Sequence, residues 1–104
     1  MRLLQEIQDE IVSDNHAFFP EKAYDLGHHV MSLCGEVGEV ANVVKKMQRG
    51  SYDPDDEEVQ LELASELVDV FIYVLSCAGI IGMNMEEFYA AKREFNATRF
   101  KGTL

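Results

Sequence analysis

Residues 33–44 read Leu33-Cys34-Gly35-Glu36-Val37-Gly38-Glu39-Val40-Ala41-Asn42-Val43-Val44. Leu33, Val37, Val40 and Val44 recur at spacings of four, three and four, which puts them on one stripe of an α-helix. A second stretch repeats the pattern, with Leu63, Leu67, Val70 and Val74 at the same spacings. No stretch of useful length alternates with period two, and hairpin dipeptides are absent. The chain therefore reads as all-α.

Outward from these two stretches, boundary signals divide the chain into four helices. The first covers Leu3 to Val12 and is expected to break at Ser13-Asp14-Asn15, ahead of the aromatic link Phe18-Phe19-Pro20. The second runs from Ala23 to Gln48 and stops at Gly50. Asp53-Pro54-Asp55-Asp56 offers a cap, a first-turn proline and acids at the positive helix end. The third helix continues from there to Ile81, with Gly82 closing it. Asn84 and Glu87 form a capping box, and Met83 is placed to staple onto Phe88. The fourth helix runs from Met85 to Phe100. The expected architecture is a four-helix up-down bundle, one domain over residues 1–104. One chain of this size builds a modest core, and the third helix is apolar around much of its surface. A homodimer or homotetramer is expected to cover the remaining face.

Composition narrows the function. An apolar fraction of 47% with only 2 prolines argues against disorder. Nine basic residues against 19 acidic ones give a net charge of −10. That opposes binding to polymeric nucleic acid, which needs basic patches. Such acidity fits either a solvated surface or a site for cations, and cations would let a small anionic substrate bind. Cys34 and Cys77 show no Cys-x-x-Cys spacing and lie within apolar helical patterns, so they read as buried, reduced thiols. Met1-Arg2-Leu3-Leu4-Gln5-Glu6 turns polar too soon for a signal peptide. The apolar run Leu67–Ile81 contains Asp69 and is shorter than a membrane span. A cytoplasmic chain without membrane contact is expected by elimination.

The acids carry the most information. Glu36 and Glu39 lie three apart in the second helix, and Glu66 and Asp69 lie three apart in the third. Each pair points within about 60° of a common direction and edges an apolar stripe. A short connection from Gly50 to Asp53 makes the two helices antiparallel neighbours, so the margins face each other. One acid pair is common on a solvated helix. Two pairs converging on a partly dry seam repel one another unless a cation intervenes, and Mg²⁺ prefers oxygen ligands. Asp69, surrounded by Leu67, Val68, Val70, Phe71 and Ile72, is the hardest to leave at the surface. Gly35 and Gly38 flank Glu36 at a helix-propensity cost, so a close helix or a ligand is expected to need that space.

Gly35-Glu36-Val37-Gly38-Glu39, followed by Glu66-Leu67-Val68-Asp69, resembles the MazG-like all-α nucleoside triphosphate pyrophosphohydrolases. The chain resembles the dCTP pyrophosphatase-like members, some of which share Gly-Glu-Val-Gly-Glu. The likeness continues through Leu63-Ala64-Ser65-Glu66-Leu67-Val68-Asp69-Val70 and into Lys92, Asn96 and Arg99, covering residues 23–100. Many members carry another glutamate directly before the first motif glutamate, where this chain has Gly35; that bears on a second or third metal. The resemblance implies that Glu36, Glu39, Glu66 and Asp69 are the catalytic metal ligands. They would hold Mg²⁺, with Mn²⁺ able to substitute. It also implies hydrolysis of a (d)NTP between the α and β phosphates, giving monophosphate and pyrophosphate in nucleotide-pool house-cleaning. Glu62, one turn before Glu66, is placed either to orient water, to complete a second metal site, or simply in solvent.

Lys92, Asn96 and Arg99 step by four and three along one stripe of the fourth helix. Two cations and an amide in register suit a polyphosphate and sugar, as in the family; a solubilising face is the alternative. Phe18, Phe19, Tyr24 and Tyr73 are candidate base-stacking surfaces, although helical aromatics usually serve the core. His28 and His29 read as surface or supporting residues, His29 projecting close to the Glu36 direction. A di-iron bundle needs Glu-x-x-His twice, and the nearest match is a single Asp25-x-x-His28. A non-catalytic helical oligomer or nucleotide-sensing module is the competing class, and it would not need all four acids.

Overall fold

The computed structural model describes residues 3–103. Met1 and Arg2, which open the segment read as too polar for a leader, lie outside the described residues, as does Leu104. Four helices follow in order: α1 (Leu4–Phe18), α2 (Leu26–Gln48), α3 (Glu57–Ile80) and α4 (Met85–Thr103). Among the described residues there is no strand. The chain is all-α, in keeping with a helical bundle.

Four helix boundaries differ from the expected ones by three residues or more: the end of α1, the starts of α2 and α3, and the end of α4, which runs on to Thr103. α1 does not break at Ser13-Asp14-Asn15 but continues to Phe18. The Asn15 amide donates to the buried Ser76 hydroxyl on α3 at 2.9 Å, so a tertiary bond holds the extra turn. α2 starts at Leu26 because the Asp25 carboxylate caps it, accepting from the His28 backbone N–H at 2.9 Å. α3 starts at Glu57 because Asp56 is the cap, accepting from the Glu58 N–H, and this leaves Pro54 in the preceding turn. Asn84 caps α4 as expected, accepting from the Glu87 N–H at 3.2 Å. Gly50 and Gly82 end α2 and α3 with φ of 83° and 73°, the left-handed conformation that glycine adopts without strain.

α3 is the central helix. α1 and α2 both pack on it, while α4 packs chiefly on α1. Ile11, Ala23, Val43, Val59, Leu75 and Ala78 form a small buried core. At Gly79 the α1 and α3 backbones approach so closely that a methyl group would run into the Val12 side chain. Gln8 is buried between α1 and the start of α4. Its Nε2 donates to the Met83 carbonyl at 2.7 Å, and its Oε1 accepts from the Met85 N–H at 3.0 Å.

The fold is open. Its radius of gyration is 16.8 Å, against about 13 Å for a compact domain of this length. An apolar groove of about 470 Å³ runs between α4 and the α1–α3 face, lined by Leu4, Phe71, Val74, Met85, Phe88 and Tyr89. Val37 and Leu67, expected to face the core, are each 50% exposed. Val43 and Val59 are buried, and among the described residues nothing covers Val37 and Leu67 to the same degree. Cys34 is likewise exposed rather than buried, and Cys77 is half-buried; both are free. Burial raises the Cys77 thiol pKa.

The apolar run expected to be too short for a membrane belongs to a longer helix. α3 has 24 residues, and its most apolar 18-residue stretch has a mean hydropathy of 1.8. By length and composition alone it is long and apolar enough to cross a bilayer. A mostly buried core helix of a soluble protein meets the same criterion, whereas 17% of this stretch is buried within the described residues.

Candidate metal centre

The tight connection from Gly50 to Asp56 returns the chain along itself, so α2 and α3 lie antiparallel. Opposed pairs fix their register. The His29 and Tyr73 rings lie 6.0 Å apart. Seven residues further along α2, and seven back along α3, Glu36 meets Glu66 side chain to side chain. Asp69, one turn from Glu66, points into the same seam. Glu36, Glu66 and Asp69 each offer a carboxylate oxygen, and these atoms lie within 4.8 Å of one another. All three residues are half-buried.

The cluster is electrostatically tense. The Glu66 pKa is raised, first by burial, then by its hydrogen bond to Glu36, and further by the charges of Glu36, Glu39 and Asp69. Oxygen donors alone suit a hard cation. On donor chemistry and spacing, the three residues fit such an ion.

The expected fourth ligand stands apart. Glu39 is exposed and outside the group of converging oxygens. Three residues on an α-helix turn through about 300°, so Glu36 and Glu39 diverge by about 60°. Only Glu36 reaches the seam, while Glu39 contributes charge from its margin. Glu62 is exposed too, and lies in a separate cleft with Ser51, Tyr52, Asp53 and Asp56.

Lys92, Asn96 and Arg99 are not brought to the carboxylates within one chain, because α4 packs chiefly on α1. Lys92 lines the apolar groove with Phe71, on the side of α3 opposite Asp69, and its ammonium lies 5.2 Å from the Phe95 ring. Arg99 lies over Phe100 at 4.6 Å. The half-buried Asn96 has a buried side-chain oxygen without a hydrogen-bond partner. Around Gly35 and Gly38, an added methyl group meets nothing within 4 Å. No helix of the same chain packs there, and the flank of α2 beside Glu36 is open.

His29 departs most from expectation. It is 4% exposed, and neither ring nitrogen has a hydrogen-bond partner. Burial lowers its pKa, the His28 charge adds to that, and Asp25 opposes it. It borders a cavity of about 220 Å³ that also reaches Asp69. Its place on the Leu33–Glu36 stripe is the sequence signal for that position. Phe18, Phe19 and Tyr24 are exposed, and Tyr24 stands edge-on to His16. Compared with known protein families, with curated proteins and with solved structures, the chain matches none at a significant level.

Proposed function

We propose that the chain is a Mg²⁺-dependent nucleoside triphosphate pyrophosphohydrolase, cutting a (d)NTP to its monophosphate and pyrophosphate. One observation carries this: Glu36, Glu66 and Asp69, from two antiparallel helices, converge to within 4.8 Å in a half-buried seam. Those three carboxylates would hold the cation, with Glu39 adding charge at the margin; Mn²⁺ would serve in its place. When bound, such an ion neutralises phosphate oxygens and lowers the pKa of a coordinated water. The proposed reaction joins a water oxygen to the α-phosphorus and breaks the bond to the β-phosphate oxygen.

The open α2 flank, the apolar groove and the large radius of gyration support assembly as a dimer or tetramer; a cytoplasmic setting is part of the proposal. Assembly also offers the Lys92–Asn96–Arg99 stripe a route to a neighbouring site. The separation of that stripe from the acids within one chain favours a second reading, a helical oligomer without catalysis.

Common and modified nucleoside triphosphates, incubated with the chain in Mg²⁺ or EDTA, test the proposal. Monophosphate and pyrophosphate are scored separately from inorganic phosphate. The expected result is pyrophosphate release that EDTA abolishes. Inorganic phosphate as primary product indicates another hydrolase class, and no turnover of any substrate favours the non-catalytic oligomer.

A further inference from the structure

We infer that His29 is a specificity residue: its buried imidazole hydrogen-bonds a nucleobase seated in the cavity between Tyr73 and Asp69. This rests on the proposed hydrolase function and names the part of the substrate that this end of the site reads.

The starting point is an unmet requirement. His29 is 4% exposed, yet neither ring nitrogen has a partner. Buried polar groups in folded proteins are hydrogen-bonded almost without exception, because leaving them dry is costly. A partner is therefore required, and the ring borders the space where one fits. Besides His29, the cavity is lined by Asn15, Phe19, Lys22, His28, Asp69, Ile72 and Tyr73. Phe19, Ile72 and Tyr73 supply the apolar and aromatic surface on which a flat ring packs.

Size and position select the occupant. At about 220 Å³, the cavity is smaller than the roughly 300–1,000 Å³ pockets that enclose whole drug-sized ligands. It suits one planar ring system, not an entire nucleotide. Asp69 belongs both to this cavity and to the carboxylate cluster. The His29–Tyr73 pair and the Glu36–Glu66 pair are seven residues apart on each helix, roughly 10 Å at 1.5 Å per residue. A ring at one end and phosphates at the other leave the sugar to bridge that interval past Asp69. A phosphate group in the cavity itself is disfavoured by the Asp69 carboxylate on its border.

The protonation state suits the role. Burial favours neutral imidazole, which has one N–H donor and one acceptor nitrogen. Nucleobase edges carry both complements. A site built around such a bond discriminates strongly, since a wrong base leaves buried groups unpaired.

The test uses the full chain with free nucleosides in EDTA, which removes phosphate and metal from the question. Side-chain NMR follows the histidine rings of wild type, His29→Phe and His29→Gln, with circular dichroism confirming each fold. At least one nucleoside should shift the His29 ring signals saturably. His29→Phe should weaken that binding about tenfold, the equivalent of one lost hydrogen bond, and His29→Gln should retain more of it. With Mg²⁺ and triphosphates, the spread of kcat/KM between best and worst bases should narrow about tenfold in His29→Phe. If that variant does not fold, the His29→Gln ranking of bases decides. Hydrolysis with an unchanged base ranking in the folded variants, or nucleosides that leave His29 unperturbed, overturns the inference and leaves the hydrolase standing. Nucleoside binding at His29 without pyrophosphate release overturns the hydrolase and leaves the pocket.

Discussion

Glu66 of α3 meets Glu36 of α2 across the seam, and burial together with that contact holds the Glu66 pKa above its ordinary value of 4.5. A group raised on folding adds stability that is complete below its unfolded pKa and lost as pH rises through the folded one. His29 acts in the other sense. Its folded pKa lies below the ordinary 6.5, so its contribution is present above 6.5 and lost as pH falls through the folded value. Melting curves in EDTA between pH 7 and pH 4.5 should separate the two. Glu66→Gln should make the protein more acid-sensitive than wild type, and His29→Phe less so. Parallel curves for all three proteins would remove both groups from the pH response.

Asp69→Asn keeps the side-chain shape while removing one charge and one good ligand from the cluster. Like charges in a partly dry seam destabilise the metal-free fold, and a cation that binds only the folded chain stabilises it by mass action. The variant should lose nearly all pyrophosphate release, melt no lower than wild type in EDTA, and gain less from Mg²⁺. A variant that melts several degrees lower in EDTA, with an undiminished Mg²⁺ response, would make Asp69 a structural acid paired within the fold.

Two glycines should respond in opposite ways. Gly35→Ala meets nothing in its own chain and gains helix propensity worth about 1 kcal/mol. It should raise the melting temperature of dilute protein yet lower turnover, because the space beside Glu36 is needed by substrate or by a second copy. Unchanged turnover would show that the space serves neither. Gly79→Ala drives a methyl group into Val12 and should cost about 1–3 kcal/mol, as overpacking does. Val12→Ala in the same chain should restore most of that loss.

Assembly and the phosphate stripe are tested together. Light scattering at micromolar concentration should give a mass of two or four chains, and Phe71→Glu should lower it. Lys92→Ala and Arg99→Ala should weaken triphosphate use without reducing the stabilisation by Mg²⁺. Because α4 leaves Lys92 and Arg99 away from the carboxylates of their own chain, mixing Asp69→Asn with Arg99→Ala should recover activity that neither has alone. A mixture no more active than the average of its parts would show that the stripe does not serve a partner's site.

Local signals carried much of the fold. Asn84 as a cap, Gly50 and Gly82 as helix ends, and the apolar stripes of α2 and α3 were legible, because each acts within a few turns of chain; the cap of α3 was expected at Asp53 and lies at Asp56. The turn of α1 beyond Asn15 was not, because the partner of Asn15 is Ser76, 61 residues away. The acid pairs were legible as spacings, but three-residue spacing does not say which member turns inward; packing put Glu36 in the seam and Glu39 at its margin. The burial of His29 likewise depends on Tyr73 arriving from another helix.

The Gln8 clamp makes α4 a lever. One buried amide grips the backbone on both sides of Asn84, and 19 helical residues project beyond it. That is an arm of about 28 Å, so a swing of only 10° at the grip carries its tip about 5 Å. A substitution such as Gln8→Leu, which removes no charge from the chain, would therefore act at Arg99 as loss of aim.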